Sequence, residues 1–97
     1  MDTEKIERLA YKIKEAAEYK CDESTQDIWD YANCLNDYVD HGIEALAEEL
    51  CISNELSKEE CETFKNLDYK ELRELERYLK YYIDWHIAYR FSRYFGE

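Results

Sequence analysis

The sequence predicts an all-α fold, a small antiparallel helical bundle of three long helices plus one short helix. The chain of 97 residues has no proline and only two glycines, Gly42 and Gly96, so it lacks the turn residues that sheet proteins need. Apolar residues recur at helical spacing in three long stretches, and two capping-box patterns mark helix starts. This length suits one domain, so we expect residues 1–97 to form a single acidic all-helical domain.

The first helix is predicted from about Thr3 to Lys20. One face carries the apolar residues Ile6, Leu9, Ala10, Ile13, Ala16 and Ala17, which follow the i, i+3, i+4, i+7 pattern of a buried stripe. Lysines and glutamates fill the other side. Residues 21–24 then predict a turn, with Ser24 or Thr25 as the N-cap of the next helix.

The second helix is predicted from about Thr25 to Cys51. Its apolar seam consists of Ile28, Ala32, Leu35, Val39, Ile43, Leu46 and Leu50. A glycine costs about 1 kcal/mol in a helix interior, so a kink or a split near His41 and Gly42 stays open. One long helix is the favoured interpretation, because the seam is not interrupted there.

Capping boxes open the last two helices. Ser57 and Glu60 begin a short helix, and Asp68 and Glu71 begin the final helix, which we expect to run from Tyr69 to about Phe95. Its main buried stripe is predicted to consist of Leu72, Leu75, Leu79, Tyr82, Ile83 and His86.

The negative charge is concentrated in the middle of the chain. The net charge is −11, and residues 21–62 hold thirteen acidic residues against one basic residue, Lys58. Such a field repels nucleic acids and anionic membranes and attracts basic surfaces. The sequence shows neither a signal peptide nor an apolar run of membrane-spanning length, so a cytoplasmic protein that binds neither nucleic acid nor membrane is expected.

The four cysteines, Cys21, Cys34, Cys51 and Cys61, form neither a CxxC pair nor a closely spaced secreted-type framework. In a reducing compartment such cysteines are usually free thiols, and we expect them to be half-buried and unpaired. A disulfide framework is the less favoured alternative.

An acidic face is predicted on the second helix, about 180° from the apolar seam. No lysine or arginine lies between Thr25 and Cys51 to balance it, and like charges three or four apart destabilise a helix. An ordinary solvated surface is the alternative to a binding surface. The candidate partner-binding residues are Asp30, Asp37, Asp40, Glu44 and Glu48, with His41 in the same stripe and Asp27 and Glu49 at its edges.

A second candidate surface is an aromatic face on the final helix, made of Tyr78, Tyr81, Trp85 and Tyr89. It is either the buried side of a central helix or an interface, including one between two copies of the chain. The bases Lys70, Arg73, Arg77 and Lys80 lie on the remaining face, where we expect them to neutralise glutamates of the fold or of a neighbouring subunit.

Catalysis and metal binding have little support in the sequence. His41, with Asp37 and Glu44 at i±3 and i±4, points to water, and the pairs Asp27/Asp30, Asp37/Asp40 and Glu71/Glu74 lack a matching inward-pointing set. His86 is interpreted as a satisfied core or boundary residue. We therefore expect no enzyme, no metal and no cofactor, and a metal-dependent hydrolase is the weakest alternative.

In composition, the chain resembles the small, acidic, helix-rich inhibitors that phages and mobile elements encode, such as anti-CRISPR and anti-restriction proteins. The resemblance implies a protein partner, namely a nucleic-acid-handling protein whose basic groove receives the acidic face. A homodimeric adaptor assembled through the aromatic face is the alternative hypothesis.

Overall fold

The computed structural model describes residues 3–96 and confirms the all-α prediction; within those residues no strand is present. The elements are α1 (Thr3–Ser24), α2 (Ile28–Asp37), a π-helical turn (Tyr38–Gly42), α3 (Ile43–Ile52), α4 (Lys58–Lys65) and α5 (Tyr69–Gly96). The described part of the chain measures 43 × 24 × 19 Å.

Three long helical segments pack around one core in an up-down-up arrangement. Contacts pair Glu7 with Tyr82 and Asp22 with Arg90, so α1 and α5 run in the same direction. Trp29 of α2 contacts Phe91 near the end of α5, so the α2–α3 segment runs against them. The core consists of apolar residues from all three, among them Ile13, Leu35, Leu46, Leu79 and Ile83, which are at most 1 % exposed.

The first helix is longer than predicted. It continues to Ser24, where a turn was expected, and Thr25 Oγ1 donates a hydrogen bond to the Cys21 carbonyl oxygen at 2.6 Å. The N-cap of α2 is therefore neither Ser24 nor Thr25. It is Asp27, whose carboxylate accepts a hydrogen bond from the Asp30 backbone N–H at 2.8 Å.

The predicted second helix is a continuous helical run from Ile28 to Ile52. A π-helical turn lies near His41 and Gly42, where the sequence allowed a kink or a split. The buried residues Leu35, Val39 and Ile43 are four apart twice in succession, whereas a regular α-helix turns in 3.6 residues. A wider π-helical turn takes up the difference and keeps the seam in the core. Gly42 is the last residue of this turn, and a Cβ at this position would lie only 2.9 Å from the Tyr38 ring, so a larger residue would force that ring to move.

Both predicted capping boxes are present. The Ser57 hydroxyl accepts a hydrogen bond from the Glu60 backbone N–H, and the Glu60 carboxylate accepts one from the Ser57 N–H at 2.8 Å. The same reciprocal pair joins Asp68 and Glu71 at 2.8 and 3.0 Å. These contacts need only residues three apart, which explains why the sequence locates the starts of α4 and α5 correctly.

The expectation of four free, half-buried thiols is wrong. Cys21 is bonded to Cys34, with Cα atoms 5.8 Å apart, and Cys51 is bonded to Cys61, with Cα atoms 5.9 Å apart. Each pair spans a helix–loop–helix connection, and packing of the two helices brings the cysteines within bonding reach. The spacing in the sequence did not indicate this, because the pairing depends on how each connection folds back.

Candidate functional site

The predicted acidic face is exposed to solvent. Its five members are exposed, and within residues 3–96 none of them forms an ion pair with a lysine or arginine: Asp30, Asp37, Asp40, Glu44 and Glu48. At 1.5 Å per residue the face extends about 27 Å along the α2–α3 segment. It is therefore a long surface of unbalanced negative charge.

The two residues at the edges of this face stabilise the fold, which the sequence did not indicate. Asp27 caps α2, as described above. Glu49 accepts a hydrogen bond from Lys20 of α1 at 2.6 Å, and this bond raises the pKa of the lysine above its ordinary value. Asp27 and Glu49, the two residues at the edges, thus form contacts within the fold. The five central carboxylates face solvent.

The aromatic face of α5 is largely uncovered, so it is not the buried side of a central helix. Tyr81, Trp85 and Tyr89 are 58 %, 64 % and 56 % exposed. Only Tyr78 is half-buried against the core. Tyr81, Trp85 and Tyr89 therefore do not belong to the interior of the bundle, and nothing in residues 3–96 covers the apolar surface that they form on α5.

Arginines extend this aromatic surface at both ends. Arg77, Tyr81, Trp85, Tyr89 and Arg93 are all exposed and follow one another at intervals of four residues, forming what we call the α5 ridge. Residues four apart on a helix are neighbours, so the ridge is a continuous row of side chains. Because one helical turn takes 3.6 residues, this row winds round α5, and Arg77 and Arg93 lie on different sides of the helix. Sequence reasoning recognised the aromatic residues but not the Arg-Tyr-Trp-Tyr-Arg row, although its spacing is visible in the sequence.

The exposed side of α5 is locally basic. Lys70, Arg73 and Lys80 flank the ridge, and Asp84, the one exposed acidic residue of α5 within the described part of the chain, is paired with Lys80 at 3.6 Å. The predicted neutralisation of nearby glutamates is not seen for Arg73, whose guanidinium lies over the Tyr69 ring at 5.8 Å. Two surfaces of opposite sign are therefore present on one small bundle.

A further exposed aromatic cluster lies where the start of α2 meets the end of α5. Trp29 is 60 % exposed and contacts Phe91 edge-on, with ring centroids 4.9 Å apart. Phe95 stacks on Phe91 at 5.8 Å. The sequence did not indicate this cluster, because its members are far apart in the chain.

A polar network crosses the boundary of the core beside this cluster. The Tyr31 hydroxyl lies 2.7 Å from His86 Nε2, and the same nitrogen lies 3.2 Å from Glu18 Oε1. Burial raises the pKa of Tyr31 to about 12 and lowers the pKa of His86 below its ordinary value, although Glu18 opposes the second shift. A tyrosine held protonated is a poor nucleophile. The network fits the predicted structural role of His86.

No group of three histidine, cysteine, aspartate or glutamate side chains within residues 3–96 could hold a metal ion. His41, Asp37 and Glu44 are exposed and do not converge on such a site. Among the described helices, none is both long enough and apolar enough to cross a membrane.

The fold and these surfaces define a small all-α bundle with one acidic side and one basic, aromatic side. The chain matches no known protein family, and no curated protein or solved structure is similar to it.

Proposed function

We propose that this protein is a small acidic binding module, and that its acidic face occupies a basic groove of a nucleic-acid-handling protein. In this proposal it acts as an inhibitor of the kind that phages and mobile elements encode, in the cytoplasm and without catalysis or a cofactor. The observation that supports it is a row of five exposed carboxylates that form no ion pair with a lysine or arginine in the described part of the chain.

Repulsion within the acidic face supports an external partner of opposite charge. Carboxylates three or four apart on a helix repel one another by a few tenths of a kcal/mol per pair, and the α2–α3 segment has no cation of its own to offset this. A basic groove would remove the repulsion and would raise the association rate through long-range attraction. The same acidic surface would be repelled by nucleic acid itself, so the partner is a protein.

The test is the association rate with a purified basic partner, captured from cells that carry the gene, at low and at high salt. Replacement of Asp37, Glu44 and Glu48 by lysine should lower the rate by about tenfold or more at low salt and weaken its salt dependence. An unchanged rate in this variant would refute the proposal.

A matched control carries the same change in net charge elsewhere. Glu15, Glu23 and Glu62 are exposed acidic residues outside the acidic face, and lysine at these three positions adds the same charge. If the control slows association as much as the test variant does, net charge rather than the acidic face governs binding. Thermal unfolding of both variants verifies that the bundle is intact.

A second candidate function is a structural or regulatory homodimer, assembled through the aromatic face Tyr78, Tyr81, Trp85 and Tyr89. The exposure of Tyr81, Trp85 and Tyr89 supports it, since tyrosine and tryptophan are enriched at interfaces. Light scattering should then give a dimer for the wild type and a monomer for Trp85→Ala. A wild type that stays monomeric at all concentrations would exclude this candidate. No observation favours the metal-dependent hydrolase.

A further inference from the structure

A groove of about 580 Å³ lies beside the acidic face, lined by residues of α3, of α4 and of the chain that leads into α5. Its apolar lining includes the half-buried side chains of Cys51, Cys61, Phe64, Leu67 and Leu72. Glu44 and Glu48 of the acidic face line the same groove. We propose that this groove binds the apolar side of a basic amphipathic helix of the partner. The inference rests on the proposed function, whose partner it characterises.

The walls of the groove are held together by contacts within the fold. The disulfide between Cys51 and Cys61 joins α3 to α4, and Lys12 of α1 forms an ion pair with Glu60 of α4 at 2.9 Å. None of the described residues of α4 is fully buried, so these two contacts contribute to holding α4 beside α3. A groove whose walls are already in place binds a ligand at a smaller cost in conformational entropy.

The charges that line the groove specify the sign of its occupant. Glu44 and Glu48 lie on the α3 side, and within residues 3–96 neither forms an ion pair with a lysine or arginine. Lys65 lies on the α4 side. Two carboxylates against one lysine leave the groove net negative, and the acidic face continues this charge along α2. A helix with lysines or arginines on the side that meets α3 is therefore attracted.

The apolar lining specifies the other half of the occupant. Ile52, at the end of α3, borders the groove and is 77 % exposed. Glu44 and Ile52 are eight positions apart, about 12 Å along the helix, which is roughly two turns. An amphipathic helix inserts apolar side chains three or four positions apart into a groove of this kind. Their burial adds an attraction that salt does not screen, whereas the charges act at longer range.

Two other occupants of the groove fit less well. An anionic membrane would bring its phosphates close to Glu44 and Glu48, which repel them. A second copy of this chain, with a net charge of −11, would bring mostly like charge to the acidic face. A basic amphipathic helix matches both the carboxylates and the apolar lining.

Titration of the protein, with both disulfides intact, against three synthetic peptides tests the proposal. Each peptide is an alanine-based helix of about 14 residues, roughly four turns. The first carries lysines on one side and two leucines, four positions apart, beside them. The second has alanine in place of both leucines, and the third has glutamate in place of every lysine. The first should bind about tenfold or more tightly than either of the others.

Nuclear magnetic resonance of the wild type locates the bound peptide. The first peptide should change the chemical shifts most at Ala47, Leu67 and Leu72, which line the groove. This measurement needs no substitution in the protein, so it does not depend on whether a variant folds.

A substitution at an exposed position tests the apolar contact. Ile52→Ala shortens a side chain that borders the groove and should weaken binding of the first peptide by about threefold or more. Tyr19→Ala is the matched control, because Tyr19 is 66 % exposed on α1 and does not line the groove. The control should bind the peptide as the wild type does.

A second pair of variants tests the charges. Glu44→Gln/Glu48→Gln removes both carboxylates that line the groove and should weaken binding of the first peptide by about fivefold or more at low salt. Glu15→Gln/Glu23→Gln is the matched control, because it changes the net charge equally at exposed positions outside the groove. Equal weakening in both variants would mean that net charge, and not the groove, attracts the peptide.

Four further results would overturn the proposal. The first two peptides could bind equally, which would make the leucines irrelevant, or the first and third equally, which would make the charge irrelevant. The largest shift changes could fall on Tyr81 and Trp85 of the α5 ridge, which would place the peptide elsewhere. Finally, the first peptide could fail to bind at concentrations up to roughly millimolar, where even a weak contact is visible.

Failure of this inference is distinguishable from failure of the proposed function. If the leucine-free peptide binds as tightly as the first, the acidic face still attracts basic surfaces, and the proposed function stands without the groove. The proposed function itself fails in a different measurement, namely an unchanged association rate of the captured partner when Asp37, Glu44 and Glu48 are replaced by lysine.

Discussion

The acidic α2–α3 region and the basic, aromatic α5 are held in the bundle by different means. Both disulfides lie in the acid-rich part of the chain, where Cys21–Cys34 and Cys51–Cys61 tie that region together. Helix α5 carries no cysteine and is held by apolar packing, with Leu75, Leu79 and Ile83 completely buried. The acid-rich region, whose carboxylates repel one another, is cross-linked covalently, whereas the basic, aromatic α5 is held by the core without a cross-link.

The largest effect should come from removing the cross-links. Each bridge closes a short loop, with cysteines 13 and 10 positions apart, and the loss of such a bridge costs about 3 kcal/mol. Reduction, or the variant Cys21→Ala/Cys34→Ala, should lower the free energy of unfolding measured by chemical denaturation. The decrease should be greater at low salt, where the carboxylates repel more strongly.

Whether the acidic region is cross-linked in the cell depends on the redox state of the four cysteines. Disulfides persist mainly in oxidising compartments, whereas the proposed location is the cytoplasm. Alkylation of the protein as extracted, followed by mass spectrometry, should show the two pairs protected. Four alkylated cysteines, with a stability that reduction does not change, would show that the acidic region holds together without cross-links.

A comparably large effect is expected from the core of α5. Leu79→Ala removes a completely buried side chain from the helix that no disulfide secures, and such a change costs about 2–5 kcal/mol. Urea unfolding monitored by circular dichroism measures it. Tyr81→Ala, two positions further along and 58 % exposed, is the control and should change the stability by less than about 1 kcal/mol.

A smaller effect should appear in the pH dependence. Burial keeps the pKa of His86 below its ordinary value, so the unfolded chain takes up a proton near pH 6.5 that the folded chain takes up only at lower pH. The free energy of unfolding should therefore fall as the pH decreases below about 6.5. His86→Gln should reduce this dependence.

The smallest effect concerns repulsion within the acidic face. Glu44 and Glu48 are exposed, four apart and without a neighbouring lysine or arginine on α3, so Glu48→Gln should stabilise the isolated protein by a few tenths of a kcal/mol at low salt. Glu62→Gln is the control, because Lys58 and Lys65 lie four and three positions away on α4 and favour the charge. Thermal melts at two salt concentrations measure both. A destabilised Glu48→Gln would mean that the carboxylate has a partner within the fold.

The sequence by itself determined whatever depends on neighbours along the chain. Both capping boxes need contacts only three residues apart, and the apolar seam of the α2–α3 segment follows from helical period. The exposure of the acidic face follows from that seam, since it lies on the opposite side. Even the π-helical turn is visible in the spacing of Leu35, Val39 and Ile43, although it was interpreted as an ordinary helix with a possible kink at Gly42.

Tertiary structure decided what depends on contacts between distant segments. Cys21 and Cys34 are within bonding reach because α1 and α2 fold back on each other, and Tyr31 contacts His86 across fifty-five positions of chain. The exposure of Trp85 depends on how many helices the bundle has to cover α5. A residue type and its spacing specify which side of a helix is apolar, but only the packed arrangement specifies which apolar side stays uncovered.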